Sequence, residues 1–119
     1  MERVDIESVR PSDRFDYWQD VVCKNFVSAN ATVPRGNETF AASLATNRVG
    51  PLLLSGLDAP MHYWKRGPQH IRRDDQDVYI LSLLEKGFGE LDQYGRRVAQ
   101  GVGDMVLYDS SAPFDYNFA

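Results

Sequence analysis

The two histidines, His62 and His70, are the first residues to consider for metal chemistry, and they lie eight positions apart. In a barrel metal site, two histidines usually stand one residue apart on one strand, and a carboxylate and a further histidine arrive from a later strand. This sequence has neither arrangement. We therefore expect no metal site, with His62 a solvent-facing or half-buried strand residue and His70 a loop residue.

A run of charged residues follows His62. Basic residues come first and acidic residues follow directly: Lys65, Arg66, His70, Arg72 and Arg73, then Asp74, Asp75 and Asp77. One interpretation is a solvated loop whose charges pair among themselves. The other is that Arg72 or Arg73 reaches the mouth of a cavity and binds a carboxylate ligand, because a guanidinium matches a carboxylate in geometry.

Catalytic groups are not evident elsewhere. Cys23 falls near the apolar side of a predicted helix and has no recognisable base beside it, so we interpret it as a small buried residue. The sequence shows no Ser-His-Asp pattern, phosphate-binding loop or paired carboxylates. We expect a protein without catalytic residues and without a cofactor.

The bulk properties set the broad class. A length of 119 residues is typical of one domain, 1–119, and a net charge of −4 disfavours nucleic acid as a direct partner. A single cysteine favours a reducing, cytoplasmic setting. The charged N-terminus does not resemble a signal peptide, and no apolar run is long enough to span a membrane.

The periodicity of apolar residues changes once along the chain. After a lead-in over 1–11, spacings of three and four predict an amphipathic helix over 12–26, capped by Ser12 or Asp13. From 27 to 119 the pattern is that of about eight short strands separated by Gly and Pro turns, including a turn at 34–37. The apolar positions of the helix are Phe15, Trp18, Val21, Val22 and Phe26. This organisation is mainly β and predicts an antiparallel barrel or jelly roll behind an N-terminal helix.

Three strand regions carry more specific predictions. The strand at 77–84 is apolar on both faces, so both faces should be covered. A hairpin is expected across Tyr94-Gly95. At 101–116, Asp104 should cap a glycine turn, Asp109 should open the next turn, and the aromatic strand from Phe114 should lie at or near a sheet edge.

Aromatic residues are numerous in the strand half, and most of them should fill the core. A few are expected to line a pocket, where rings provide flat apolar walls. With the arginines already discussed, the candidate ligand-binding residues are Trp64, Arg72, Arg73, Tyr79, Leu81, Leu83 and Tyr108. The ligand expected from them is a small aromatic or carboxylated molecule.

Four segments of the sequence carry a family resemblance. They are FDYWQDVV at 15–22, the run 65–77 with HIRRDD at 70–75, LLEKGFG at 83–89, and GDMVLYDS at 103–110 with Pro113-Phe114. Together they resemble the N-terminal, cupin-like sensory domain of AraC/XylS-type transcriptional regulators. The resemblance covers nearly the whole chain in order, and the last segment is its most specific part. It implies a non-catalytic domain that binds a small effector, or dimerises, and controls a C-terminal pair of helix-turn-helix units.

The family resemblance also implies what lies outside this sequence. DNA would be read only through a C-terminal helix-turn-helix region that is absent here, and the sensory domain would continue through further strands and dimerising helices. We therefore expect a homodimer and a sequence truncated at its C-terminus. Two alternatives stay open: a small cupin-type metalloenzyme using His62 and His70, and a stand-alone module that pairs with a full-length regulator.

Overall fold

The computed structural model describes residues 2–33, 40–74 and 77–119. The predicted turn at 34–37 and the charged residue Asp75 lie outside these ranges. The described part holds helices α1 (Arg14–Asn25) and α2 (Pro68–Arg73). Its strands are β1 (Glu2–Asp5), β2 (Asn30–Thr32), β3 (Ser43–Val49), β4 (Leu52–Asp58), β5 (His62–Arg66), β6 (Tyr79–Leu83), β7 (Gly89–Gln93), β8 (Arg96–Gln100), β9 (Met105–Asp109) and β10 (Phe114–Phe118).

Helix α1 confirms the predicted N-terminal helix to within two residues at each end. A short 3-10 turn, Pro11–Asp13, leads into it, and the buried positions are Phe15, Trp18 and Val22. Neither Ser12 nor Asp13 caps the helix with its side chain, so that expectation was wrong. The Asp13 carboxylate instead accepts hydrogen bonds from the Arg10 guanidinium at 2.9 and 3.0 Å. The 3-10 turn thus takes the place of a side-chain cap.

The strands form antiparallel sheets, as the sequence predicted. A five-stranded sheet has the order β2-β5-β10-β7-β8, a three-stranded sheet the order β1-β3-β4, and β6 pairs with β9. Ten strands are described rather than about eight, and one of the additional strands, β1, lies in the presumed lead-in. The sheets do not close into a barrel within the described ranges, so the fold is cupin-like but open.

Strand β10 corrects one of the sequence predictions. It lies in the middle of the five-stranded sheet, where Tyr116 is opposite Trp64 of β5 on one side and Leu91 of β7 on the other. The strand is therefore not at a sheet edge, and it offers no free edge for pairing with a second molecule. The predicted alternation of aromatic and polar residues along β10 is confirmed, since Phe114 and Tyr116 are both buried.

The predicted turn chemistry is confirmed. The Asp104 carboxylate accepts the backbone N–H of Gly101 at 2.8 Å, and Gly103 has a φ of 90° that favours glycine. The Asp109 carboxylate accepts the N–H of Ser111 at 2.9 Å. Tyr94 and Gly95 both have positive φ, which is the geometry of a two-residue hairpin turn between β7 and β8. These turns fix which residues of β7, β8 and β9 share a face.

The apolar strand β6 differs from its prediction in one respect. Its inner residue Ile80 is half-buried, but the side chains on the other face are exposed, with Tyr79 at 78% and Leu81 at 65%. Leu81 pairs with Leu107 of β9, which is 65% exposed as well. The outer face of β6 and β9 is therefore uncovered within the described residues, whereas the sequence suggested that both faces would be covered.

A buried arginine connects the helical and strand parts of the fold. Arg66, at the end of β5, is 1% exposed and forms an ion pair with Asp74, which directly follows α2. Its Nε donates to the carbonyl of Ser110 at 3.0 Å, and its Nη1 donates to the carbonyl of Ser28 at 2.8 Å. Asp74 also accepts the N–H and hydroxyl of Ser28. A buried charge is stable only when it is paired and hydrogen-bonded in this way.

Replacing Asp74 with Asn should destabilise the protein by about 2–4 kcal/mol, because the buried Arg66 loses its counter-charge. Chemical denaturation of the wild type and the Asp74→Asn variant measures the difference. The control is Asp13→Asn, which removes an exposed ion pair with Arg10 and should change the free energy of unfolding by less than about 1 kcal/mol. Equal effects of the two substitutions would contradict the role of Arg66.

The same pair predicts a dependence on acid pH. Burial by itself raises the pKa of Asp74, but hydrogen bonds from Arg66 and Ser28 outweigh it and hold the pKa below its ordinary value of 3.8. As the pH falls, the Asp74 carboxylate is therefore protonated at a higher pH in the unfolded chain than in the folded protein. The stabilisation is present above that ordinary pKa and is lost as the pH falls through the folded-state pKa. Denaturation at pH 5, 4 and 3 should show a smaller loss for Asp74→Asn than for the wild type.

Candidate functional site

His62 lies inside the core rather than on a half-exposed strand face, which corrects its predicted position. It is 4% exposed, and the indole N–H of Trp18 donates to its Nε2 at 3.4 Å. Its Nδ1 is 2.8 Å from the carbonyl of Pro60, which it reaches as a donor when Nε2 is the acceptor. Burial lowers the pKa of His62, and the hydrogen bond to Pro60 only partly offsets this effect. Both ring nitrogens of this neutral histidine therefore form hydrogen bonds inside the protein.

His70 also differs from its prediction. It lies in the short helix α2, which the sequence suggested was a loop, and it is 3% exposed. Its Nδ1 accepts the backbone N–H of Gly67 at 2.9 Å, so the ring helps to begin the helix. No group of three or more His, Cys, Asp or Glu residues suited to a metal occurs in the described part of the chain. Both histidines thus have structural partners.

Cys23 is half-buried on α1, and its thiol donates to the carbonyl of Ala29 at 3.3 Å. Burial raises the pKa of the thiol. A raised pKa keeps the sulfur protonated near neutral pH, whereas a nucleophilic cysteine requires the thiolate. The geometry is that of a packing residue, as the sequence indicated.

A cleft opens where the β7-β8 hairpin approaches β6 and β9. Its volume is about 370 Å³, within the usual range for small-molecule sites. The lining residues come from all four strands and the hairpin turn: Tyr79, Leu91, Gln93, Tyr94, Arg96, Val98, Leu107, Tyr108 and Asp109. The hairpin register brings its contributors together, because Leu91 is opposite Val98 and Gln93 is opposite Arg96. The cleft therefore combines apolar walls with a few polar groups.

The two charged residues of the cleft have different surroundings. Asp109 is engaged, since its carboxylate accepts the Tyr94 hydroxyl at 2.7 Å and the N–H of Ser111 at 2.9 Å. Hydrogen bonds from Ser111 and Tyr94 lower the pKa of Asp109, so it is ionised at neutral pH. Arg96 has no ion pair with any residue that the structure describes. The cation is thus available to an anionic ligand.

Tyr108 gives the cleft its aromatic wall. Its ring packs edge-on against Phe114 at 5.0 Å and against Tyr116 at 5.4 Å between centroids. Burial, with a smaller contribution from Tyr116, raises the pKa of its hydroxyl. The hydroxyl is therefore protonated and able to donate a hydrogen bond. The aromatic contacts hold the ring in one orientation beside the cleft.

Only some of the ligand-binding residues predicted from the sequence lie at the cleft. Tyr79 and Tyr108 both line the cleft, whereas Trp64 lies in the core on β5. Arg72 and Arg73 are exposed on α2, and Leu81 and Leu83 are on the exposed outer face of β6; none of these four lines the cleft.

Sequence reasoning missed Arg96, Leu91 and Val98 as cleft residues. A usable signal was present, because the predicted Tyr94-Gly95 turn sets the register of its two strands. Counting outward from that turn puts Gln93 beside Arg96 and Leu91 beside Val98 on one face. The position of β9 next to this hairpin was the missing information, since it depends on contacts between distant parts of the chain.

The buried histidines predict a loss of stability between pH 7 and pH 5. An unfolded histidine takes up a proton near its ordinary pKa of 6.5, whereas burial lowers the pKa of both His62 and His70 in the folded state. The free energy of unfolding should therefore fall with decreasing pH, by up to about 1.4 kcal/mol per pH unit for each histidine. His62→Gln and His70→Gln should each reduce the change in the free energy of unfolding per pH unit. The double variant should show the smallest change. An unchanged slope in the double variant would contradict this assignment.

Comparisons with known proteins agree with the fold. The family model for the AraC-binding-like domain matches residues 18–119. An uncharacterised protein in the nit 5' region of Bacillus sp. (strain OxB-1) is 29% identical over 112 residues, covering 94% of this chain and 43% of that protein. The transcriptional activator NphR of Rhodococcus sp. is 26% identical over 100 residues, covering 84% of this chain and 30% of NphR.

The crystal structure of the AraC-like transcriptional activator CuxR has the same fold, with a TM-score of 0.82 at 19% identity. The match covers 99% of this chain and 44% of that one. The chain thus spans less than half the length of the relatives it matches. In the described part of the chain, neither helix is long and apolar enough to cross a membrane. Because the family model covers most of the sequence, this chain belongs to the AraC-binding-like domain family.

Proposed function

We propose that this chain is a non-catalytic, effector-sensing unit of an AraC-type transcription regulator, and that the effector binds in the cleft beside Arg96. The observation that carries the proposal is the combination of a cation without an ion-pair partner among the described residues and an apolar cleft of about 370 Å³. The effector is a small molecule with a carboxylate and an aromatic or other apolar body. Such a unit acts in the cytoplasm, and residues 1–119 act as one regulatory domain.

The chemistry of the cleft supports this ligand class. The guanidinium of Arg96 can bind a carboxylate through two parallel hydrogen bonds. The protonated hydroxyl of Tyr108 adds a donor, and Leu91, Val98 and Leu107 supply apolar walls. Asp109 is ionised and already hydrogen-bonded, so it disfavours a second negative group at its end of the cleft. A compact ligand with a single negative charge and an apolar body is compatible with all of these groups.

The absence of catalysis is part of the proposal. A hydrolytic or metal-dependent reaction needs a nucleophile beside a base, or an open metal site. Within the described residues, His62 and His70 are both engaged in structural hydrogen bonds, and the thiol of Cys23 bonds to a carbonyl. The family and its structural neighbour belong to transcription regulation, which favours binding over turnover.

We also propose that the regulator is a homodimer and that the outer face of β6 and β9 contributes to self-association. The face consists of Tyr79, Leu81, Leu83, Met105 and Leu107, and each of these side chains is more than half exposed. Contiguous apolar patches of this kind commonly mark interaction sites, whereas isolated apolar residues do not. DNA binding belongs to a region outside this sequence, in agreement with the net charge of −4.

A thermal-shift experiment with benzoate and related small aromatic acids tests the ligand proposal. A ligand that binds only the folded state raises the melting temperature with concentration. We expect at least one acid to raise the melting temperature of the wild type. The Arg96→Ala substitution should weaken the apparent affinity for that acid at least tenfold, equivalent to about 1.4 kcal/mol. The uncharged amide of the same acid should produce a much smaller shift.

Arg97→Ala is the matched control. Arg97 is the next residue on β8, but its guanidinium pairs with Glu90 and Asp92 and it does not line the cleft. Its substitution should leave the ligand-induced shift unchanged. Equal losses in Arg96→Ala and Arg97→Ala would indicate nonspecific charge effects and would reject the proposed site, as would a shift that survives in Arg96→Ala.

Sedimentation analysis over a range of concentrations tests the self-association surface. We expect the wild type to associate, and Leu81→Lys with Leu107→Lys to weaken association at least tenfold, because two charges would face each other across the interface. Val102→Lys is the control, since Val102 is 65% exposed but lies in the turn before β9. A wild type that stays monomeric, or a control that dissociates equally, would reject this surface.

A further inference from the structure

Strand β9 has one edge paired with β6 and a second edge that faces the β7-β8 hairpin. On the paired edge, the N–H of Ser110 donates to the carbonyl of Val78 at 2.9 Å, so the even-numbered residues of this stretch bond toward β6. Backbone groups of an antiparallel strand point alternately to its two sides. The N–H and C=O groups of Leu107 and Asp109 therefore point away from β6.

The side chain of Gln93 shows how this second edge of β9 can be satisfied. Gln93 is the last residue of β7, and its Nε2 donates to the carbonyl of Asp109 at 2.8 Å. Its Oε1 accepts the N–H of Asp109 at 3.4 Å. The same Nε2 also donates to the carbonyl of Ala112 at 3.2 Å, which holds the side chain in this position. One carboxamide thus bonds to both outward backbone groups of a single residue.

Leu107 is the next residue of β9 whose backbone points to the same edge. Residues two positions apart along a strand are separated by about 6.8 Å. Neither the N–H nor the C=O of Leu107 has a hydrogen-bond partner in residues 2–33, 40–74 and 77–119. Leu107 and Gln93 both line the cleft. The backbone of Leu107 therefore offers one donor and one acceptor, in the arrangement that Gln93 occupies at Asp109.

The hydroxyl of Tyr108 is a further polar group of the cleft without a partner in the described part of the chain. The hydroxyl of Tyr94 donates to Asp109 and that of Tyr116 donates to Ser82, which shows that the neighbouring tyrosines are satisfied by the protein. A polar group that is withdrawn from water is unfavourable unless it is hydrogen-bonded. The cleft thus contains polar groups that a ligand can satisfy.

The charge of Asp109 decides which kind of polar group fits beside Leu107. Hydrogen bonds from Ser111 and Tyr94 lower the pKa of Asp109, so its carboxylate is ionised at neutral pH. It would repel a second anionic group two residues away. A carboxylate or a ketone also has no donor for the carbonyl of Leu107. A carboxamide is neutral and carries both a donor and an acceptor.

We propose that the effector carries a carboxamide in addition to its carboxylate, and that this carboxamide bonds to the N–H and C=O of Leu107 as Gln93 bonds to Asp109. The assignment rests on the proposed function, in which Arg96 binds the carboxylate. Arg96 is opposite Gln93 in the hairpin, and it lines the same cleft as Leu107. The ligand class is therefore an aromatic acid with an amide substituent, rather than a simple aromatic acid or a dicarboxylic acid.

Calorimetric titration of the 119-residue chain with meta- and para-carbamoylbenzoate tests the ligand class. The matched control for each isomer is the acetylbenzoate, which keeps the C=O group but has a methyl group in place of the NH₂ group. We expect at least one carbamoylbenzoate to bind at least about tenfold more tightly than its acetyl control, because the carbonyl of Leu107 then gains a donor. Isophthalate and terephthalate, which carry a second carboxylate, should bind more weakly than the carbamoyl compounds.

Leu107→Pro removes the outward N–H and leaves the hydrogen bonds between β9 and β6 in place. It should weaken binding of the better carbamoylbenzoate at least about tenfold. Leu107→Val is the matched control, since it also shortens the side chain but keeps the N–H, and its effect should be much smaller. Met105→Pro removes another outward N–H of β9 at a residue that does not line the cleft, and it should leave the affinity unchanged.

Hydrogen exchange of the wild type gives a measurement that does not depend on the folding of a variant. The amide of Leu107 should exchange at least tenfold more slowly when carbamoylbenzoate is bound than in the free chain, because a hydrogen-bonded amide is protected. The amide of Met105 on the same edge should exchange at the same rate in both.

Failure of the carboxamide assignment is distinguishable from failure of the proposed function. Acids whose binding depends on Arg96, but with equal affinity for the carbamoyl and acetyl compounds, would overturn the carboxamide assignment alone. So would a dicarboxylate that binds as tightly as the carboxamide, or an unprotected Leu107 amide in the complex. If no acid binds, or if Arg96→Ala binds all of them as tightly as the wild type, the proposed function and the carboxamide assignment are both wrong.

Discussion

The structure depends on satisfying one buried positive charge. Arg66 ends β5 in the interior, where an unpaired guanidinium would be strongly unfavourable. Its partners come from three other regions: Ser28 after α1, Asp74 after α2, and Ser110 in the turn between β9 and β10. Satisfying this one group therefore fixes the helical segments against the strands. It also holds the β9-β10 turn, and thus the end of β9 that carries Tyr108 and Asp109 to the cleft.

The cleft follows from this arrangement and from local turn chemistry. The β7-β8 hairpin has its register set by the turn at Tyr94 and Gly95, which places Arg96 on the same face as Leu91 and Val98. The aromatic packing of Tyr108 against Phe114 and Tyr116 then sets the facing wall. A site built in this way is largely preformed, so a ligand loses little binding free energy in ordering it.

Local features of the fold could be predicted from sequence, and features that depend on distant contacts could not. Helix α1, the β7-β8 hairpin and the turn at Asp104 follow from short-range patterns, and all were predicted. Helix α2 was missed because Gly67-Pro68 resembles a break, although Pro is well suited to the first turn of a helix. The burial of His62 and the central position of β10 depend on sheet order, which no local pattern encodes. The same limit hid Arg96, whose importance appears only when β9 is placed beside the hairpin.

We propose that a small anionic effector binds between the β7-β8 hairpin and β9. Two-dimensional ¹⁵N NMR of the 119-residue chain, titrated with an aromatic acid that raises its melting temperature, measures this directly. We expect saturable chemical-shift changes concentrated at Tyr94, Arg96, Leu107 and Tyr108, with little change at Arg72 and Arg73 on α2. Saturable shifts centred on α2, with the hairpin unaffected, would contradict it.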